Sequence, residues 1–227
     1  MDQLKIAKGL QPSKRLESIN KYAKEQNIPI EIVEKYRLNK LANGHQGVAL
    51  KVNAYPYSDI GRMLSLAKER DEKPFLLLLD TLQDPQNLGS LLRSAEAVGV
   101  HGVILPHRHT ATVTPAVVNV SSGASEHLLI SQQNLAQAIA LLKEENIWVI
   151  GLDGSEKTPN LDQTKLTGAV AIVVGSEGEG MRKLVRESCD LLVRIPMQGQ
   201  IESLNAAVAG SVVLYLASLG RKAASPE

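Results

Sequence analysis

The stretch of sequence that decides the fold is Ala169-Val-Ala-Ile-Val-Val-Gly175-Ser-Glu-Gly-Glu-Gly180. Its first six residues form a continuous apolar run rich in β-branched side chains, which is typical of a strand buried on both faces of a parallel sheet. Glycines at 175, 178 and 180 follow the run, and we expect them to take positive φ values and bring the backbone close to a bound molecule. The stretch therefore predicts a parallel α/β domain in which this strand delivers a loop to a ligand.

Two later segments belong to the same predicted pocket. The first is Leu191-Leu-Val-Arg-Ile-Pro196-Met, with a strand expected over 191–195. The second is Ile201-Glu-Ser-Leu-Asn205, where a helix is expected to open at Ser203 and run to Leu219. The free N–H groups and the dipole at a helix start favour an acceptor or anionic group. The three segments are predicted to form the walls of one ligand pocket.

The rest of the region 74–227 alternates between strand and helix patterns. This alternation predicts a parallel sheet with helices on both faces. The other expected strands are Phe75–Asp80, Gly102–Leu105, Leu128–Ile130 and Ile147–Leu152, and the other expected helices are Pro85–Val98, Pro115–Val120, Leu135–Glu145 and one from Met181.

Residues 1–53 read as a separate small α/β domain, and 54–73 as a linker containing Pro56 and a charged tail. Because the small domain opens directly on a strand, we expect its natural start to be missing. Its expected strands are Leu4–Leu10, Ile28–Val33 and Gly47–Val52, and its expected helices are Pro12–Glu25 and Tyr36–Leu41.

Composition narrows the class of protein. The chain has 227 residues, 44% of them hydrophobic, enough for a substantial core. It has no apolar stretch near the roughly 18 residues of a membrane span and no secretory pattern at its start, so a cytoplasmic protein is expected. Cys189 is the single cysteine, which permits no internal disulfide; its acidic neighbours favour a structural thiol over a nucleophile.

Charge is divided unevenly along the chain. The net charge is +1, but residues 1–53 hold ten Lys or Arg against five Asp or Glu, and the remainder holds fifteen against nineteen. A basic module on a mildly acidic body suits a protein that grips phosphates with one part and does chemistry with another. On charge alone, a lysine-rich solvated surface explains the pattern equally well.

The helix predicted after the first large-domain strand carries an unusual arginine. Asp84 is a good N-cap and Pro85 occupies the favoured first position. Steps of 100° per residue place Arg93 opposite the apolar stripe, beside Gly89 and Glu96. We expect Gly89 to leave room for a ligand to approach Arg93; the alternative is an exposed arginine paired with Glu96. The apolar stripe consists of Leu88, Leu91, Leu92, Ala95 and Val98.

Several common sites are excluded by their motifs. No G-x-G-x-x-G follows the first strand of the large domain, as a dinucleotide-binding fold requires, and no Gly-Lys-Ser/Thr indicates a P-loop. His107 and His109 lack carboxylate or cysteine neighbours, so no metal site is predicted.

Three segments together resemble the successive motifs of the SpoU (TrmH-type) branch of the SPOUT RNA methyltransferases. The basic N-terminal region, with Gly44-His-Gln-Gly47, resembles the small ribosomal-protein-like RNA-binding domain that many members carry. One departure is Ala206-Ala207, where members commonly have Val-Ser. The three motif segments are Asp84-Pro-Gln-Asn-Leu-Gly-Ser-Leu-Leu-Arg93, Val174-Gly-Ser-Glu-Gly-Glu-Gly180 and Ile195-Pro-Met through Ile201-Glu-Ser-Leu-Asn205.

The resemblance implies transfer of a methyl group from S-adenosylmethionine to a ribose 2′-hydroxyl in structured RNA. The layout is most similar to members acting on a guanosine of 23S rRNA, with tRNA as the alternative. It also implies a C-terminal trefoil knot, a homodimer and no metal. By the same resemblance, Arg93 is the catalytic arginine, and Asn87, Glu177, Ser203 and Asn205 are its polar partners. Backbone groups of Gly175, Ile195 and Leu204 would hold the cofactor, with Leu152 and Met197 as apolar walls.

These residues suit methyl transfer, in which geometry should dominate because the donor is already electrophilic. Arginine is a poor base, so Arg93 is expected to orient the ribose and its phosphate and to stabilise the emerging oxyanion. Two other classes stay open at this stage: a non-catalytic RNA-binding or assembly protein, and a metabolic enzyme acting on a small nucleotide.

Overall fold

The computed structural model of the chain describes residues 3–41, 44–155, 157–164 and 166–224. The chain divides into two compact units, residues 1–56 and 57–227. The first unit ends close to the boundary expected at residue 53.

The N-terminal unit is a three-stranded sheet with two helices. Strand β1 (Gln3–Ala7) lies between β2 (Ile30–Val33) and β3 (Val48–Lys51), parallel to the former and antiparallel to the latter. Helices α1 (Lys14–Glu25) and α2 (Lys35–Asn39) complete the unit. Its main core contains four buried apolar residues, Leu4, Ile6, Ala23 and Ile28.

The interval expected as a linker contains a core helix instead. Helix α3 (Ile60–Glu69) buries Ile60, Met63 and Ala67, whose spacing of three and four residues puts them on one face. A Cβ atom at Gly102 would lie 2.2 Å from the sulfur of Met63, so the neighbouring strand needs a glycine to admit this helix. The second unit therefore begins at residue 57. The assignment of residues 54–73 to a linker is wrong, because the apolar face of α3 packs into the core of this unit.

In its described residues, the second unit is built on six strands, each of which pairs in parallel with its neighbours. In spatial order they are β6-β5-β4-β8-β7-β9. The strands are β4 (Phe75–Leu79), β5 (Gly102–Leu105), β6 (Leu129–Gln132), β7 (Trp148–Leu152), β8 (Val170–Val174) and β9 (Leu191–Val193). The helices after α3 are α4 (Pro85–Ala97), α5 (Pro115–Val120), α6 (Leu135–Glu144), α7 (Lys183–Ser188) and α8 (Ala206–Ala224).

Helices cover both faces of this sheet. Residues of α3, α6 and α7 share one core with alternate residues of the strands, while α4 packs against α5 and α8, and α8 contacts β8. The four leucines of β4, at positions 76 to 79, are fully buried, as a strand covered on both faces requires. The predicted class, a parallel α/β sheet with a small N-terminal α/β domain, is confirmed.

Two element boundaries near the predicted pocket differ from expectation. Strand β9 ends at Val193 because the backbone of Arg194 bonds to Pro159 O and Leu161 N instead of continuing along β7. Helix α8 begins at Ala206 and not at Ser203. The short helix α7 likewise begins at Lys183, two residues later than Met181.

The topology gathers the loops of the candidate site at one edge. Strands β4 and β8 are neighbours, with Leu79 opposite Val174, and β7 and β9 follow on the other side of β8. Because all these strands run parallel, the loops that follow them lie at the same carboxyl edge of the sheet. Ligands of open α/β sheets bind at the carboxyl edge, at the point where the connections that leave two neighbouring strands go to opposite sides of the sheet.

Candidate functional site

Three polar side chains from distant parts of the sequence meet at this edge. Glu177 Oε1 accepts hydrogen bonds from Asn87 Nδ2 at 3.1 Å and from Asn205 Nδ2. Asn205 Nδ2 also lies 3.0 Å from Asn87 Oδ1, which closes the triangle. All three residues were predicted as site residues from the sequence, and the structure brings them together.

Asn87 is placed by the start of α4. The side chain of Asp84 accepts a hydrogen bond from Gln86 N at 2.9 Å, and Pro85 occupies the first helical position. These two features begin the helix directly after the loop that follows β4. Asn87 consequently lies in the first turn, half-buried, facing the loop after β8.

Glu177 stands on a tight turn after β8. Ser176 N donates to Gly180 O at 3.0 Å and Gly180 N donates to Ser176 O at 3.1 Å, so residues 177–179 form the tip. Gly178 and Gly180 have φ values of 83° and 68°, as predicted. Gly175 is not in the left-handed region, so that part of the prediction is wrong. It is required for space, since a Cβ there would lie 2.2 Å from the carbonyl carbon of Gly180.

An ion pair between a buried aspartate and a partly exposed arginine anchors the far end of this turn. Asp80, fully buried after β4, accepts from Arg182 N at 2.7 Å and from Arg182 Nε at 2.8 Å. The guanidinium Nη2 lies 2.7 Å from the same carboxylate. Sequence reasoning missed this pair, although an aspartate ending a run of four leucines was a usable signal. The pair ties the loop after β8 to β4.

Asn205 is the N-cap of α8 as well as a member of the triangle. Its Oδ1 accepts from Ala207 N at 2.9 Å and Val208 N at 3.2 Å, and Glu177 Oε1 lies 3.4 Å from Ala206 N. The first N–H groups of α8 are thus used by protein side chains. The expectation that they are free for a ligand is corrected: the positive end of the helix dipole faces the Glu177 carboxylate instead.

Three of the residues predicted to hold a cofactor lie at the ends of adjacent strands. Gly175 follows β8, Leu152 ends β7 and Ile195 follows β9. Apart from buried Gly175, these residues and Met197 and Leu204 are half-buried.

Several backbone N–H groups between β9 and α8 have no hydrogen-bond partner among the described residues. Within the described ranges, the N–H groups of Ile195, Met197 and Leu204 have no hydrogen-bond partner in the protein. Backbone donors in partly buried positions are normally paired. Donors of this kind suit a ligand with several acceptor atoms.

Arg93 and Ser203 stand apart from the triangle. Arg93 is exposed on α4, and in the part of the chain that the structure describes it forms no hydrogen bond or ion pair, with Glu96 or any other residue. Its neighbour Ser94 contacts Ser211 of α8, the two hydroxyl oxygens being 2.7 Å apart. Ser203 is exposed in the segment before α8 and does not bond to the triangle.

The space at Gly89 serves helix packing and not a ligand. Gly89 is buried, and a Cβ there would lie 2.6 Å from Cβ of Val120 on α5. The expectation that this glycine clears an approach to Arg93 is therefore wrong. Its absence of a side chain lets α4 and α5 pack closely.

Other candidate chemistry is limited. Burial first, and then the Asp190 carboxylate, raise the pKa of the Cys189 thiol to about 12. Such a thiol is not a nucleophile near neutral pH.

Among the described residues, the structure contains no group of three or more His, Cys, Asp or Glu placed to hold a metal ion. None of the helices in those residues is long and apolar enough to cross a membrane.

Two known domain families match this chain. The profile of the SpoU rRNA Methylase family matches residues 74–215, and the profile named RNA 2′-O ribose methyltransferase substrate binding matches residues 1–58. The chain belongs to the SpoU rRNA methylase family. It is therefore an RNA methyltransferase with a SpoU-type N-terminal unit.

Individual relatives cover most of the chain. YacO of Bacillus subtilis (strain 168), assigned to the TrmH family of tRNA/rRNA methyltransferases, is 43% identical over 85% of this chain and 78% of its own length. The crystal structure of the SpoU methyltransferase AviRb from Streptomyces viridochromogenes, in complex with the cofactor AdoMet, is 25% identical and covers 97% of this chain and 83% of its own, with a TM-score of 0.81.

A second solved structure shares the fold. The AdoMet-bound rRNA methyltransferase from Sinorhizobium meliloti is 21% identical, covers 95% of this chain and 78% of its own, and has a TM-score of 0.75. A C-terminal trefoil knot, expected from the resemblance, is typical of this fold.

Proposed function

We propose that this SpoU family protein transfers a methyl group from S-adenosylmethionine to the 2′-hydroxyl of a ribose in RNA. The observation that carries the proposal is the triangle of Asn87, Glu177 and Asn205, which joins the loops after β4 and β8 to the start of α8. These are the three segments whose motifs resemble the family.

The residues present fit the cofactor. The unpaired N–H groups of Ile195, Met197 and Leu204 offer donors to the acceptor atoms of adenine and of the methionine portion. The half-buried side chains of Leu152 and Met197 offer apolar surface, and Gly175 lets the loop after β8 fold tightly against Gly180. When bound, S-adenosylmethionine supplies an electrophilic methyl group on its sulfonium. AviRb is a SpoU methyltransferase whose structure contains this cofactor.

We assign the acceptor side of the reaction to Arg93. An exposed guanidinium without a protein partner among the described residues is free to bind a ribose and its phosphate. Its charge also stabilises the oxyanion that forms as the hydroxyl loses its proton. The hydrogen bond between Asn87 and Glu177 fixes the loop after β8 against the first turn of α4, the helix that carries Arg93 two turns further on. Ser203 contributes a hydroxyl at the start of the third segment.

The substrate is proposed to be structured RNA, a guanosine of 23S rRNA in the first instance. The basic residues of 1–53 and the matched substrate-binding profile support RNA. The relatives are named for both tRNA and rRNA, so tRNA is the second candidate. The single, poorly reactive Cys189 suits a reaction in the cytoplasm.

We further propose a homodimer that forms through α8. Five apolar side chains at helical spacing on this helix are exposed by between 38 and 58%. Such a stripe is costly to leave in water, and it lies on the helix that contacts α4 near Arg93 through Ser211. A second copy on this face would place its surface close to the proposed site. The stripe consists of Val208, Val212, Tyr215, Leu216 and Leu219.

The experiment that tests the proposal is the mapping of 2′-O-methylated nucleotides in rRNA and tRNA from cells with and without the gene. The purified protein should then restore the missing methyl group with labelled S-adenosylmethionine. Loss of one 2′-O-methyl mark that the protein restores supports the proposal and identifies the RNA. Identical maps, with no incorporation into the RNA of the deletion strain, would contradict it.

A further inference from the structure

The N-terminal unit contains a cavity of about 600 Å³ that the proposed chemistry does not use. It lies between the turn after β1 and the turn before β3. Its floor is formed by Leu10 against Gly47, where a Cβ atom would lie 2.5 Å from Cδ1 of Leu10. The lining residues are 7–11, Lys35, Asn39 and 44–47.

The charged side chains that line the cavity are both cations. Lys8 and Lys35 are exposed, and among the described residues that line the cavity there is no carboxylate. Lys8 lies 3.4 Å from Glu34, but both side chains are mostly in water, so the pairing neutralises little of the field. The lysines are therefore available to an anion such as a phosphate.

The other polar lining side chains are largely carboxamides, from Gln11, Asn39 and Gln46. A carboxamide offers a donor and an acceptor side by side, which is the pattern that pairs with the edge of a nucleobase. Cations next to carboxamides suit a ligand that has both a phosphate and a base.

Hydrogen bonds fix one of these carboxamides in place. Gly47 N donates to His45 Nδ1 at 2.9 Å, so Nδ1 is an acceptor and the proton of the neutral ring sits on Nε2. That Nε2–H donates to Asn39 Oδ1 at 2.7 Å. The oxygen of Asn39 is thereby occupied, while its NH₂ group has no other partner among the described residues. His45 thus orients Asn39 with its donors free.

We propose that this cavity binds a single unpaired nucleotide of the RNA, with its base on the carboxamides and its phosphate on Lys8 and Lys35. The inference rests on the proposed function, because it takes RNA as the substrate. Paired bases in an A-form helix hide their edges in a deep groove, whereas a bulged or looped base can be splayed out and inserted. The volume falls in the range of about 300 to 1,000 Å³ that is usual for small-ligand sites.

The test compares matched variants of the full chain. Lys8→Ala with Lys35→Ala removes two cations from the cavity, and Lys21→Ala with Lys24→Ala removes two from the exposed surface of α1. A second pair keeps the side-chain shape: Gln46→Glu adds a carboxylate in the cavity, and Gln26→Glu adds one outside it. Thermal melting of each variant checks that the unit is folded.

The probes are two fluorescent RNA hairpins of equal length, one fully paired and one with a single bulged nucleotide. We expect the wild-type protein to bind the bulged hairpin about 5- to 150-fold more tightly, the range of one well-placed base contact. Gln46→Glu should abolish this preference and Gln26→Glu should keep it. The lysine variant in the cavity should reduce the slope of log Kd against log salt by about 0.7 for each phosphate lost.

Equal binding of the two hairpins by the wild-type protein, or equal effects of the cavity variants and their controls, would overturn the proposal. A methylation assay separates this failure from that of the proposed function. With total RNA from the deletion strain, the cavity variants should raise KM and leave kcat unchanged. If the cavity variants incorporate methyl groups with the wild-type KM, only the cavity proposal is contradicted. If the preference for the bulged hairpin depends on the cavity but no methyl group is incorporated, only the proposed methyl transfer is contradicted.

Discussion

The ion pair between buried Asp80 and partly exposed Arg182 offers the sharpest test of how the site is held. We consider Asp80→Asn, which preserves the size of the side chain and removes its charge. Both carboxylate oxygens now accept hydrogen bonds, Oδ2 from Arg182 N and Oδ1 from the guanidinium. An asparagine has one acceptor oxygen, so its NH₂ must face either the N–H or the guanidinium of Arg182.

The expected loss of stability follows from burial. Asp80 is 0% exposed, and a hydrogen bond to a charged group contributes about 1.5–3 kcal/mol. Breaking a fully buried pair costs about 3–5 kcal/mol, but 47% of the Arg182 side chain is in water and recovers part of its hydration. We therefore expect the free energy of unfolding of the second unit to fall by about 2–3 kcal/mol.

Urea unfolding followed by tryptophan fluorescence measures this change, because the single Trp148 lies in β7 of the second unit. Asp84→Asn is the matched control: Asp84 is exposed, and asparagine caps a helix as well as aspartate does. Calorimetry should also show weaker binding of S-adenosylmethionine by Asp80→Asn, since the loop with Glu177 loses its anchor. A change below about 0.5 kcal/mol, equal to that of the control, would refute the reasoning.

Three further predictions concern the same unit. Gly175→Ala should abolish cofactor binding in calorimetry with the fold retained by circular dichroism, because the new Cβ meets the backbone of Gly180 at 2.2 Å and forces the turn to move; unchanged affinity would contradict this. Burial lowers the pKa of His101 below its ordinary 6.5, so the unfolded state binds the proton first and stability should fall as the pH drops through about 6.5. His101→Gln should flatten that slope in urea titrations, and an unaltered slope would count against it. Cys189 should react with iodoacetamide at pH 8 only on unfolding, because its thiol pKa is about 12; fast labelling of the folded protein would show otherwise.

The sequence predicted the large domain well because its elements carry strong local signals. The apolar runs of β4 and β8 predict strands buried on both faces, and Asp84-Pro85 predicts the start of α4. The predicted polar residues Asn87, Glu177 and Asn205 meet because neighbouring parallel strands end at one edge, which the alternating pattern implies.

The errors lie where tertiary contacts decide. Helix α3 has a clear apolar spacing, but Pro56 and the charged residues at the end of 54–73 favoured a linker. The sequence gives no sign that Gly89 faces Val120, or that Gly175 is needed for space, because both depend on which segments approach in three dimensions. The capping role of Asn205 was hidden in the same way, since a Ser two residues earlier is an equally good start.

The central claim is that three separated segments hold the methyl donor while Arg93 directs the acceptor. The most direct measurement compares Arg93→Ala with the wild-type protein in two assays, calorimetry with S-adenosylmethionine and transfer of its labelled methyl group to RNA. We predict that cofactor affinity changes less than about 3-fold, whereas transfer falls by about 100-fold or more, the usual loss when a charge-stabilising group is removed. Transfer at the wild-type rate, or loss of cofactor binding together with activity, would contradict the role assigned to this arginine.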